Sequence, residues 1–403
     1  MNRISFAFKC AGFALLLAAC HGDDITLPPP PSGSLMLTVL GHGDVQDRFT
    51  GEIWTVGNTA YTTTWGNRSA VGNAVKIWDV SGTAPTLVDS LIVPNAVTLG
   101  DIQTSDDGQL LVVATEFNLG SIVLYSLANP RKPQLITRYN TTLTDPGVHT
   151  ATVARVDGRL YAFLCVDNSA NAAARLVIVD ITDPTGPSQV FTQEMGSPYV
   201  HDVFVRDGIL FIAVWDAGIK IWDIGGGGRG GTPSNPIELS TLHTIGGQAH
   251  NIWWYKNAFN GDRRYAFVGQ EIPGPVGAFS GGDIHVVDVS DLTAPDEVAF
   301  FHLDGAGTHN FSMDESRGIL YAAYYNGGVR AIDVTGDLSA CKDSERDFFG
   351  RCSLAEMGRE IAHGLVNGPP VYIWGVQLVG SSLYVSDMLN GIWKLAPVPF
   401  PPD

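Results

Sequence analysis

Short apolar runs, each closed by a turn residue, recur along the whole chain. The most regular is a strand that ends in Asp: Val75-Lys76-Ile77-Trp78-Asp79, Leu176-Val177-Ile178-Val179-Asp180, Ile219-Lys220-Ile221-Trp222-Asp223, Ile284-His285-Val286-Val287-Asp288 and Val329-Arg330-Ala331-Ile332-Asp333. Two degenerate copies, at 122–126 and 392–394, bring the set to seven. Each is preceded by an alternating strand that follows a Gly-containing turn, as in Asp207-Gly208-Ile209-Leu210-Phe211-Ile212-Ala213. Before that lies another strand, such as Val203-Phe204-Val205. After the Asp comes a turn, then a fourth strand like Val298-Ala299-Phe300-Phe301. Four short antiparallel strands repeated seven times predict an all-β chain, a seven-bladed β-propeller.

The two ends of the chain fit a closed ring. After Leu395 come Pro397, Pro399, Pro401 and Pro402, which cannot donate to a central ladder, so the seventh unit lacks its own fourth strand. A spare apolar stretch at 35–40 precedes the first unit. Pairing it into the last blade closes the ring and hides the sheet edges.

Composition narrows the function. The 403 residues carry 41 acidic against 24 basic side chains, a formal charge of −17. That charge repels phosphate backbones and argues against a nucleic-acid partner. The first nineteen residues have basic Arg3 and Lys9 and a short apolar run, too short to span a bilayer, which reads as a secretory signal. Leu17-Ala18-Ala19-Cys20 resembles a bacterial lipobox, which implies cleavage before Cys20 and its lipidation. His21 rather than Asp follows, which in such lipoproteins resembles release to an outer membrane. The expected organisation is a signal at 1–19, a lipidated Pro-rich linker at 20–33, one propeller domain at 34–396 and a Pro-rich tail at 397–403. Removing the signal takes away two basic groups and leaves the mature chain at −19. The membrane contact expected is the lipid anchor alone.

In an oxidising compartment Cys341 and Cys352, bracketing a short insertion, are expected to form a disulfide. Cys165 lies in the apolar run Tyr161-Ala162-Phe163-Leu164-Cys165 and reads as a buried small hydrophobe.

Leu176 to Asp180 spells LVIVD, followed by Ile181-Thr182-Asp183-Pro184 and then Pro187. With Thr308-His309-Asn310-Phe311, Ala323-Tyr324-Tyr325-Asn326-Gly327-Gly328 and Tyr384-Val385-Ser386-Asp387, this resembles the LVIVD-repeat proteins, secreted or surface bacterial β-propellers. The resemblance covers residues 34–396 and implies architecture and address, but no reaction. WD-repeat proteins share Ile-Trp-Asp, at 77–79 and 221–223, and the fold, but not the Asp-Pro-x-x-Pro turn.

First strands of propeller blades start near the central axis, where second strands end. His149, His201, His250 and His309 open first strands in consecutive units 3 to 6. Asp101 in unit 2 and Trp374 in unit 7 fall near the same place. Four imidazoles on one axis are a candidate shell for a transition metal such as iron, copper or zinc. Glu116, Asp167, Asp216, Glu271, Asn326 and Asp387, at second-strand ends, are candidate partners for those rings. In fold and histidine number this is similar to the four-histidine iron site of propeller-shaped carotenoid oxygenases, without shared sequence. Repetition alone also produces such a set, each ring bonding a turn or a neighbouring blade. His149 lies two residues further from its Asp157-Gly158 turn than His201 does from Asp207-Gly208, which shifts it along the axis.

The insertion at 271–283 is expected to project from that face, either as a lid or binding loop or as a tolerated surface insertion. Gly225 to Gly231 lacks the strand-Gly-helix context and Lys-Ser/Thr of a phosphate loop. No Gly-x-Ser-x-Gly, His-Glu-x-x-His or Cys-x-x-Cys pattern occurs. The expectation is therefore a surface-tethered binding scaffold in the cell envelope, for a small molecule or protein, with no catalytic residue assigned. A metal-dependent, oxidoreductase-like enzyme using the four histidines is the alternative.

Overall fold

A computed structural model describes residues 33–400 other than 118 and 197. The expected signal, Cys20 and nearly all of the linker lie outside the described residues, as do the last three positions. Among the described residues no helix is long and apolar enough to cross a membrane.

The chain forms seven antiparallel sheets, each with four ring-building strands. In blade 4, Asp202–Arg206, Ile209–Ala213, Ile219–Asp223 and Ile237–Leu242 pair in order from axis to rim. The innermost strands of the other blades are Phe49–Val56, Thr98–Thr104, Val148–Val156, Ala249–Trp254, Phe311–Asp314 and Ile373–Val379. All seven Asp-type strands found in the sequence are third strands. Their near-continuous apolar character follows from burial on both faces, because every blade is covered by its two neighbours. One such layer, between blades 3 and 4, joins Phe163 and Ile178 with Val203, Leu210 and Trp222.

Ring closure uses a later segment than 35–40. Val39–Asp44 pairs antiparallel with Gly391–Leu395 and is the outermost strand of blade 7. Leu35–Met36 instead runs parallel to Glu360–Gly364 as an extra strand on blade 6. Between them Leu37 buries in the core shared by blades 6 and 7, so the chain changes sheets there. The apolar stretch at 35–40, read as one strand, is divided between two.

Cys341 and Cys352 are bonded, as expected. The insertion they brace leaves the third strand of blade 6, and Cys352–Ser353 pairs with the outer strand of blade 5. Cys165 is free and buried. At the opposite edge of blade 4, the Gly225 to Gly231 stretch wraps the chain's own Asp223. Its carboxylate accepts the backbone N–H of Gly225 and Gly227 at 2.8 Å, Arg229 at 2.8 Å and Gly231 at 3.2 Å. The anion in this glycine loop is internal, which agrees with the rejection of a phosphate site.

Candidate functional site

The innermost strands carry irregularities where the axis needs them. In blades 3, 5 and 7 the ladder skips one residue, and the skipped residues are His149, His250 and Trp374. In blades 1 and 2 it skips two, Gly51-Glu52 and Gly100-Asp101. Such bulges re-aim side chains, here toward the axis. The one-residue bulge in blade 3 takes up one residue of the two-residue offset of His149. His201 and His309 lie just before the ladders of their blades, their N–H groups donating to Ala213 and Ala323.

The four imidazoles form a continuous arc. Ring centroids are 4.2 Å apart for His149 and His201, 3.9 Å for His201 and His250, and 4.2 Å for His250 and His309. Nε2 of His149 is 2.8 Å from Nε2 of His201. Glu271 Oε2 lies 3.7 Å from Nε2 of both His201 and His250. The ligand atoms of His201, His250 and Glu271 all lie within 4.8 Å of one another.

The outer nitrogens at the two ends of the arc are fixed. Nδ1 of His149 donates to Glu116 at 2.8 Å, with Asp167 close by. Nδ1 of His309 donates to the Trp374 carbonyl at 2.7 Å. Each bond turns Nε2 inward, that of His149 onto Nε2 of His201. In the middle of the arc the rings lack partners: His201 Nδ1 and both nitrogens of His250 make no hydrogen bond, and His250 is only 1% exposed. Glu271 is steadied by the Tyr325 hydroxyl, which donates to its other oxygen.

Aromatic walls hold the rings. Trp215 stacks on His201 at 5.5 Å and Tyr325 meets His309 edge-on at 5.2 Å. These two residues occupy matching turns of blades 4 and 6, with φ of 43° and 41°. A bulky residue in that region is strained, and the strain here coincides with contact on a site histidine. Trp374 packs 4.1 Å from His309 and 5.3 Å from Trp65.

Electrostatics differ along the arc. Burial pulls the His149 imidazole down, but Glu116, Asp167 and Glu271 outweigh it and hold it above its ordinary range. His201 and His309 are held well below theirs by burial and neighbouring imidazoles. His250 is pushed down to about 3 by burial and by His149. Neutral imidazoles with inward lone pairs are competent ligands.

The histidines close one end of an axial cavity of about 400 Å³. Next to them its wall is formed by Glu52, Asp101, Asp202, Asn251 and Asn310, and further along by Trp54, Phe204 and Trp253. Its far end reaches Arg206 and Leu378, near the other end of the inner strands. The three carboxyls are fixed largely by main-chain donors: Ile53 N–H to Glu52 at 2.9 Å, Ile102 and Ala151 N–H to Asp101 at 2.7 and 2.9 Å, and Val203 N–H to Asp202 at 2.7 Å. Asn310 also donates to Glu52. Burial, reinforced by Asp101, pushes Glu52 and Asp202 up to about 8.

The remaining sequence candidates divide. Asp101 lines the cavity one tier away from the rings. Asp216 is exposed on its turn beside Gly247. Asp387 orders its own turn, accepting Tyr372 and Leu389 N–H at 3.0 Å. Asn326 accepts from Ser280 at 2.6 Å and so ties down the 271–283 insertion. That insertion packs over the histidine end, where Tyr372 donates to the Gly274 carbonyl at 3.1 Å. Glu52 and Asp202 were not singled out from the sequence. Their signal is positional: Gly51-Glu52 matches Gly100-Asp101, and Asp202 follows a site histidine as Asn251 and Asn310 do.

Fold and site together define a seven-bladed propeller with a histidine-lined axial cavity. Residues 163–193, 198–244 and 278–302 match the LVIVD repeat model, spanning parts of blades 3 and 5 and the whole of blade 4. The chain thus carries LVIVD repeats within a seven-bladed β-propeller, consistent with the LVIVD-repeat propellers that the motif in blade 3 resembles. No curated protein matches it.

Proposed function

We propose that this propeller is an exported, lipid-anchored metalloprotein of the cell envelope. Its axial site holds one first-row transition-metal ion through His149, His201, His250 and Glu271, with His309 flanking, and offers it to a small molecule in the adjoining cavity. The observation that carries this reading is His250, buried with both nitrogens unpaired and its Nε2 3.7 Å from a carboxylate oxygen. A ring kept only for packing or turn bonding leaves such polar atoms paired, since an unsatisfied buried group costs about 1–3 kcal/mol. Imidazole and carboxylate together suit iron, zinc, copper or manganese. Such an ion supplies Lewis-acid or redox chemistry to a molecule bound beside it.

Glu116 and the Trp374 carbonyl orient the outer rings, and Tyr325 orients Glu271. The address rests on the Leu17 to Cys20 motif. Metal titration of chelator-treated protein tests the site: one equivalent bound by wild type and none by His201→Ala and His250→Ala supports it, and equal binding by all three contradicts it. Release of Cys20→Ala from membranes tests the anchor.

A further inference from the structure

The carboxyl tier of the cavity holds acidic groups to which no Lys or Arg side chain is bonded among the described residues. Glu52, Asp101 and Asp202 line it, all buried. Among the described residues lining the cavity the one Lys or Arg is Arg206, engaged by Glu315 at 2.6 Å, and the His149 imidazole, held above its ordinary range, is bonded to Glu116. Buried carboxylates need a positive partner or a proton. Beyond this tier stand three aromatic side chains. Phe204 and Trp253 lie 5.5 Å apart. The indole N–H groups of Trp54 and Trp253 are bonded, to Thr104 at 2.9 Å and Glu315 at 3.2 Å, so the rings offer their surfaces rather than donors. Carboxylates followed by aromatic surfaces favour an organic cation: the ammonium meets the acids and the body packs on the rings. A bare inorganic ion uses neither the aromatic wall nor a volume of about 400 Å³.

We propose that the axial cavity binds a small organic ammonium compound, with its charged nitrogen at the Glu52, Asp101 and Asp202 tier and its apolar body against Trp54, Phe204 and Trp253. This extends the proposed axial site, and rests on that reading for the cavity being the binding site, but it does not require the metal. The same arrangement disfavours anionic ligands of equal shape.

The test uses three near-isosteric probes, benzylamine, benzyl alcohol and benzoate, titrated calorimetrically into purified protein at neutral pH, with and without prior chelation. The expected result is benzylammonium at least tenfold tighter than benzyl alcohol and no benzoate binding, with the same order after chelation. Asp202→Asn should reduce the ammonium preference at least fivefold and leave the alcohol unchanged, and Glu52→Gln provides the same comparison if that variant folds poorly. Equal binding of amine and alcohol, tightest binding of benzoate, no binding of any probe, or displacement of benzylammonium by calcium at equal ionic strength overturns the proposal. An ammonium preference in a protein that holds no metal would sink the metal reading and leave this one standing.

Discussion

The Nε2 atoms of His149 and His201 face each other at 2.8 Å, although the two residues come from different blades. Two nitrogens bound at right angles to one ion at about 2.1 Å would stand about 3.0 Å apart. The pair is therefore already near chelating distance, and the opposite nitrogen of His149 is anchored by Glu116. Replacing Glu116 by Gln keeps an acceptor but removes its charge. The expected outcome is a 10- to 100-fold loss of metal affinity, measured by competition with a chromogenic chelator, with the fold unchanged by circular dichroism. Unchanged affinity would deny Glu116 an orienting role.

Gly100 tests the bulge geometry. A Cβ there would fall well inside contact distance of the His149 carbonyl oxygen, in the neighbouring blade, and close to Glu116 Oε1 at 2.7 Å. Gly100→Ala should cost about 1–3 kcal/mol in denaturant unfolding and also weaken metal binding. Gly368→Ala, where nothing lies within 4 Å, is the neutral comparison.

Asp223 organises a loop instead of a ligand. Four main-chain donors outweigh its burial and bring its carboxyl down from 3.8 to about 2. Because the folded value is the lower one, this stabilisation is complete above about pH 4 and is lost as pH falls toward 2. Asp223→Asn should thus be less stable than wild type by about 2 kcal/mol at pH 7. In urea titrations across pH the difference should shrink steadily below pH 4. A difference that persists unchanged at pH 2 would assign it to packing.

Ring closure depends on Val39–Asp44. Removing the chain through Asp44 strips the outer strand from blade 7 and exposes the edge of Gly391–Leu395. The shortened protein should lose its single cooperative unfolding transition and associate on size exclusion. A monomer with unchanged cooperativity would show that the closing strand is dispensable.

The architecture was legible because each blade repeats one pattern and is buried on both sides. The Asp223, Asp288 and Asp333 strands begin and end at the residues the pattern assigned. The histidine arc was legible for the same reason, since its members open consecutive units. Glu52 and Asp202 were harder to see. A period-2 reading assumes an unbroken ladder, and Glu52 reaches the axis through a two-residue bulge that no hydrophobic pattern records. Asp216 holds the expected sequence position, and its side chain is exposed there. The closing strand was misplaced by a few residues because no Gly or Pro marks the crossing at Leu37 within 35–40.

The metal content of the purified protein tests the central claim most directly. Elemental analysis of protein purified without chelators, beside His250→Ala, should find about one equivalent of a single first-row transition metal in wild type and less than a tenth of that in the variant. Wild-type protein that stays metal-free even after incubation with iron, copper, zinc and manganese, or a variant that retains the full equivalent, would contradict it.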